Sequence, residues 1–186
     1  MNFNADADDF TIGVIGAGAM GQGIVQVSLQ GGMQVLLFDA NEEGALAGRD
    51  LIFQRLDRSV DKGRLELGAV NQMKNNLTLV DSFAAFKSCS VVVEAVFEDL
   101  EVKHAVYEEL EQHVSSECII ASNTSSLPIS SLGRSCERQE RFAGLHFFNP
   151  VPLMRLVEVI RGPSTDDWVI DGLVKLGERM GRTPVV

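Results

Sequence analysis

Thr11-Ile12-Gly13-Val14-Ile15-Gly16-Ala17-Gly18-Ala19-Met20-Gly21 is the stretch that decides the fold of this chain. A β-branched apolar run leads into three glycines spaced G-x-G-x-x-G, and Ala19 to Gly31 then reads as a helix. Gly16 permits the tight turn out of the strand. Gly18 has no side chain to keep a pyrophosphate off the backbone, and Gly21 lets the helix lie close on the strand. The first helical turn offers free N–H groups and a partial positive charge to phosphate. A second apolar run, Gln34 to Phe38, ends at Asp39, near the ~20-residue offset of an acid that binds ribose hydroxyls. A bare G-x-G-x-x-G is a weak signal. Between a strand and a helix, with a second strand and an acid following, it reads as a dinucleotide-binding turn.

That turn assigns Gly16, Gly18, Ala19, Met20, Gly21 and Asp39 to a cofactor. Asp39 also selects it. A carboxylate accepts from the 2′- and 3′-hydroxyls and repels the extra phosphate of NADP, and no arginine lies between Ala40 and Leu46 to offset this. NAD is the expected cofactor.

The rest of the chain fits one domain. Its 186 residues are 45% hydrophobic, enough for one sizeable core. A net charge of -10 argues against a nucleic-acid partner. No apolar run approaches the ~20 residues of a membrane span. Met1 to Asp9 is polar and acidic, lacks the features of a signal peptide, and is expected to be a flexible leader before a domain over residues 10–186. Cys89, Cys118 and Cys136 are odd in number and show no C-x-x-C spacing. Neither they nor His104, His113 and His146 form a metal pattern, so buried thiols in a reducing, cytoplasmic compartment are expected and no metal.

Strand and helix alternate through most of the chain. After Asp39, Asn41 caps a long helix to about Lys62. Its Phe53, Leu56 and Val60 fall on one face, and Arg55, Arg58 and Lys62 on the opposite one. The cationic stripe could hold the phosphates of a large anionic substrate. On spacing alone, a solvated face neutralised by Asp57 and Asp61 is the simpler account. A shorter helix over Leu65–Asn75, a strand over Leu77–Val80 and a helix over Phe83–Lys87 follow. Cys89–Val96 and Cys118–Ala121 are apolar enough for strands buried on both faces. Between them runs a helix capped by Asp99, with Val102, Val106, Leu110 and Val114 every four residues. Further on come strands over Phe142–Phe148 and Leu156–Ile160, a helix over Asp166–Met180 stopped by Gly181, and a last strand from Thr183. The expected fold is an α/β, doubly wound, mostly parallel sheet of Rossmann type.

Three polar residues stand out in apolar surroundings: Ser125 past a strand end, His146 between large apolar residues, and Glu158 inside an apolar strand. A buried carboxylate is costly unless paired, and His146 is its natural partner. A carboxylate beside an imidazole fixes the tautomer and stabilises the charged form. With NAD alongside, such a pair could take a hydroxyl proton while hydride leaves the same carbon, with Ser125 on the substrate oxygen. A satisfied core histidine and a local ion-pair partner explain the spacing as well, and spacing does not show that the three residues meet.

Ser122-Asn123-Thr124-Ser125-Ser126-Leu127, Arg141-Phe142-Ala143-Gly144-Leu145-His146-Phe147-Phe148-Asn149-Pro150-Val151-Pro152 and Leu156-Val157-Glu158-Val159 closely resemble the 3-hydroxyacyl-CoA dehydrogenases, and the resemblance extends from Phe10 to the end. The resemblance implies NAD-dependent oxidation of an L-3-hydroxyacyl-CoA, a step of fatty acid metabolism and β-oxidation. It makes His146 the catalytic base, Glu158 its orienting acid and Ser125 a contact of both substrate and nicotinamide. It places Asn149, Glu98 and Lys103 at the cofactor. It puts Lys62 on the CoA moiety, with Arg55 and Arg58 following less closely. Alternatives are an NAD-dependent dehydrogenase of a free 3-hydroxy acid or sugar acid, and a non-catalytic NAD-binding protein. Chains of this family continue into a helical domain that carries the dimer contact. That domain is absent from this sequence, so a homodimer is expected only of the complete protein, and the chain is expected to be a cofactor domain inactive alone.

Overall fold

The computed structural model describes residues 3–186. Its frame is an eight-stranded sheet in the order β3-β2-β1-β4-β5-β6-β7-β8. The strands are β1 (Thr11–Ile15), β2 (Gln34–Phe38), β3 (Leu77–Leu79), β4 (Val91–Glu94), β5 (Ile119–Ser122), β6 (Phe142–Phe147), β7 (Leu156–Arg161) and β8 (Thr183–Val185). Among the described residues only the β6–β7 pair is antiparallel; β8 pairs parallel to β7. The helices are α1 (Ala19–Gln30), α2 (Glu42–Asp61), α3 (Leu67–Asn75), α4 (Leu100–Glu111), α5 (Ile129–Leu132) and α6 (Asp167–Arg179). The strand order reverses between β1 and β4, which opens a crevice at the carboxyl ends of these strands.

Each face of the sheet buries its own core. On one, Val25 and Val27 of α1, Leu56 of α2 and Leu173 and Leu176 of α6 pack on Ile12, Val14, Val93, Ala121, Leu145 and Val157. On the other, Tyr107 and Leu110 of α4 and Phe83 and Phe86 pack on Ile15, Val92, Ile120 and Phe142. Alternate residues of β1, β4, β5 and β6 go to opposite faces, so these strands are apolar except near their ends, as a sheet covered on both sides requires.

Several expected boundaries shift. The apolar run Cys89–Val96 yields only the four residues of β4, because Cys89 still closes the preceding turn and the strand ends at the crevice after Glu94. The segment Phe83–Ser88 is a 3-10 turn, and α3 starts at Leu67. The valine and leucine repeat marks the buried face of α4 only in part: Leu110 is buried and Val106 packs on the core, but the repeat fails at its start. Val102 is 44% exposed, whereas Lys103 and Tyr107 are at 1% and 0%. Residues four apart drift around a helix of 3.6 residues per turn, and two polar side chains with partners take the inward position.

The expected flexible leader also needs correction. Met1 and Asn2 lie outside the described residues, but the part after them is docked. Ala5 and Phe10 are buried. Phe3 sits edge-on to Phe10 and beside Trp168. Arg179 of α6 donates to the carbonyls of Ala5 at 2.5 Å and Ala7 at 2.9 Å, and to that of Gly31 at 2.9 Å. An acidic composition suggested solvent exposure; two aromatic rings and one guanidinium from the far end of the chain override it.

Candidate functional site

The turn after β1 has the geometry that a pyrophosphate needs. Gly16 has φ +105°, and a Cβ there would meet the Ala95 carbonyl at 2.5 Å. A Cβ on Gly21 would lie 1.8 Å from the Gly16 carbonyl oxygen, so α1 packs directly on the turn. A Cβ on Gly18 would meet nothing within 4 Å. It would instead stand in the open space over the α1 N-terminus, where no side chain caps the helix and no acid lies in the first turn. The residues present therefore fit a dinucleotide phosphate. Asp39 closes the turn: its carboxylate accepts from the Ala17 N–H at 2.6 Å and the Asn41 N–H at 2.9 Å.

Asp39 lines a cavity of about 820 Å³ with Phe38, Leu46, Leu79 and Val80. Arg49 lines it as well, and the sequence reading, confined to Ala40–Leu46, missed it. One turn further along α2, it comes back to the same side. Its guanidinium is held by Asp50 through contacts of 3.0 and 2.8 Å.

Along one row of the sheet lie Phe38, Ile15, Glu94, Ser122, Gly144 and Ile160. Two residues beyond Gly144, at the carboxyl end of β6, stands His146, and its cross-strand partner in the antiparallel register is Glu158. The pairing follows from register, which spacing in sequence did not reveal. His146 Nδ1 is 2.8 Å from Glu158 Oε2. A carboxylate only accepts, so Nδ1 carries the proton and Nε2 is left as the free nitrogen. Glu158 is not the buried acid that its apolar strand suggested; its side chain is 43% exposed against 16% for His146. The Phe148 ring lies 4.6 Å from that of His146. The end of β6 is fixed by the Phe147 N–H, which donates to Asn123 Oδ1 at 2.9 Å.

A cavity of about 340 Å³ gathers His146, Ser125, Asn149, Met20, Glu98 and Lys103 into one space. Glu158 reaches it only through His146. Ser125 is held from behind: Glu98 Oε1 accepts from its N–H at 3.0 Å and from the Thr124 hydroxyl at 2.5 Å. Burial opposes the charge on Glu98. The Thr124 hydrogen bond and the Lys103 ammonium outweigh it and hold the carboxyl at about 2. Lys103 is paired with Glu94 at 2.6 Å and Glu98 at 3.2 Å. Glu94, buried in a valine-rich strand, was not singled out from the sequence; a carboxylate at the end of such a strand was the available signal.

The cationic stripe lies on a further cavity of about 360 Å³, where Arg55, Arg58 and Lys62 are joined by Arg64, Gln26 and the Asn149–Leu153 loop. Arg55 leans onto α1, its Nη2 donating to Gln22 at 3.0 Å. Asp57 does not neutralise the stripe, because it pairs with Lys74 at 2.6 Å. Asn149 belongs to this cavity and to that of His146. Among the described residues, no cluster of His, Cys, Asp and Glu could hold a metal ion, and no helix is long and apolar enough to cross a membrane. The three cysteines are free and buried.

Known proteins are similar to this chain in sequence and fold. Residues 11–186 match the family described as 3-hydroxyacyl-CoA dehydrogenase, NAD binding domain. The fatty acid oxidation complex subunit alpha of Pseudomonas paraeruginosa is 42% identical over 93% of this chain, which spans 24% of that protein. A probable 3-hydroxybutyryl-CoA dehydrogenase of Deinococcus radiodurans is 40% identical over 93% of the chain and 62% of its own length. The crystal structure of 3-hydroxybutyryl-CoA dehydrogenase from Escherichia coli superposes with a TM-score of 0.93 at 37% identity, over 95% of this chain and 38% of that one. The chain belongs to the 3-hydroxyacyl-CoA dehydrogenase family and corresponds to its NAD-binding domain.

Proposed function

We propose that this segment binds NAD and supplies the proton-transfer pair of an enzyme that oxidises an L-3-hydroxyacyl-CoA to the 3-ketoacyl-CoA. The observation that carries the reading is the 2.8 Å His146–Glu158 pair, beside Ser125 in a cavity walled by Met20 of the glycine turn. Bound NAD supplies the hydride acceptor. Gly18 and the α1 N-terminus hold its phosphates and Asp39 its ribose, with Glu98, Lys103, Ser125 and Asn149 around the other half. Glu158 keeps the proton on Nδ1, so Nε2 takes the substrate hydroxyl proton as a general base, worth roughly 10²–10⁴ in rate. Glu158 then stabilises the imidazolium, and the reverse reaction returns the proton from Nε2. Ser125 donates to the substrate oxygen. Arg58, Lys62 and Arg64 bind the phosphates of CoA, and the shared Asn149 supports one elongated acyl-CoA running through both cavities.

Because the chain spans 62% of the Deinococcus relative, we infer that it binds NAD unaided but turns over little substrate. Near-attack positioning draws on more of the cleft than these residues build. Fusing the chain to the remainder of that relative tests this. The fusion should oxidise NADH with acetoacetyl-CoA and the bare chain should not; equal rates would contradict the division of labour. In the fusion, Glu158→Gln should lower kcat at least about tenfold with NAD affinity within about twofold. Unchanged turnover would remove Glu158 from the mechanism. CoA should raise the melting temperature of the chain, and Lys62→Met should abolish that effect. A chain that CoA leaves unprotected favours a free hydroxy acid as substrate.

A further inference from the structure

Glu94 is fully buried at the end of β4. Its Oε1 accepts from the Val96 N–H at 2.7 Å and from Lys103 Nζ at 2.6 Å; its Oε2 accepts from the Tyr107 hydroxyl at 2.5 Å and the Ser122 hydroxyl at 2.7 Å. Four donors converge on an acceptor that needs all its lone pairs, which is the environment of an ionised carboxylate. Lys103 carries the connection outward to Glu98, and Glu98 grips the N–H groups of Ser125 and Ser126 at 3.0 and 3.2 Å. Neither Glu94 nor Tyr107 lines the His146 cavity, whereas Lys103, Glu98 and Ser125 do.

We propose that Glu94 and Tyr107 are positioning residues, which fix Lys103, Glu98 and the Ser125 loop as the wall of the nicotinamide half of the site. Stability alone gives no reason for this arrangement. A buried network with two carboxylates and one ammonium costs desolvation, and apolar residues of similar volume commonly serve a core as well or better. What the network supplies is a rigid path from the sheet to the exposed Ser125–Ser126 turn, whose N–H groups Glu98 accepts from. The inference rests on the NAD-binding reading.

The test compares NAD with ADP-ribose, which has the same phosphates and riboses but no nicotinamide. Calorimetry on the chain is run with wild type, Glu94→Gln and Tyr107→Phe, and each variant is melted without ligand. Tyr107→Phe keeps the ring that packs on Phe142 at 5.0 Å, so it decides the matter if Glu94→Gln does not fold. The expected result is NAD affinity lower by about tenfold in Glu94→Gln and about threefold in Tyr107→Phe, with ADP-ribose affinity within about twofold. Equal losses for the two ligands, or NAD affinity unchanged in folded variants, would overturn the proposal and leave a packing role. Wild-type chain that binds neither ligand would overturn the cofactor reading itself, and this inference with it.

Discussion

Glu98 shows how a half-exposed acid can be committed to one charge state. Burial alone would raise its pKa, but the Thr124 hydroxyl, the Lys103 ammonium and the Ser125 N–H bring it to about 2 from an ordinary 4.5. A group whose folded value is depressed stabilises the fold fully above its unfolded value, and that contribution fades as pH falls through the folded value. Stability followed by circular dichroism should therefore fall between about pH 4.5 and pH 2 in part through Glu98. Glu98→Gln should show a shallower fall over that interval; an identical profile would mean that the carboxylate is not held by these partners. Glu98 was legible only through family resemblance. Its partners come from a helix and a loop separated from it by up to 28 positions, and no spacing rule reaches that far. His146 and Glu158 were visible as odd polar residues, but their meeting depends on a one-residue register that pattern alone does not set.

At the scale of elements, the glycine turn was legible because each glycine answers to a separate constraint, and the structure ranks them. Gly18→Val should abolish NAD binding by calorimetry and leave the fold intact, since the new side chain enters open space in an ordinary backbone conformation. Gly21→Val should instead unfold or strongly destabilise the chain. The Gly16 carbonyl 1.8 Å from its Cβ is backbone and cannot turn aside, so the cost should exceed the about 1–3 kcal/mol usual for overpacking. Thermal melts of the two variants separate the roles; equal melting temperatures would contradict the assignment. Helix α4 marks the opposite case. Its apolar repeat holds at Leu110 and fails at Val102, where the inward face is taken by Lys103 and Tyr107, the partners of buried Glu94.

For the whole molecule, the segment from Phe3 to Phe10, expected to be a flexible leader, packs against the domain. Arg179 joins α6 to the Ala5 and Ala7 carbonyls and to the turn after α1, with its guanidinium 5.6 Å above the Phe10 ring. Arg179→Met should cost about 2–3 kcal/mol in a denaturant melt, the loss of one hydrogen-bonded charge and its unpaired carbonyls. A change within error would return the first residues to the status of a loose leader. The doubly wound order itself was readable from alternation, whereas the antiparallel β6–β7 turnover that builds the site was not. Two short strands joined by a loop look alike in either direction until their partners are known. The β1 turn, α1 and Asp39 make this chain an NAD-binding domain. That assignment is tested most directly by calorimetric titration of the chain with NAD and with NADP. One NAD should bind per chain, and NADP should bind at least about tenfold more weakly, because the Asp39 carboxylate repels a phosphate on the neighbouring ribose and Asp50 neutralises Arg49, which lines the same cavity. Absence of NAD binding, or NADP binding as tight as NAD, would contradict that assignment.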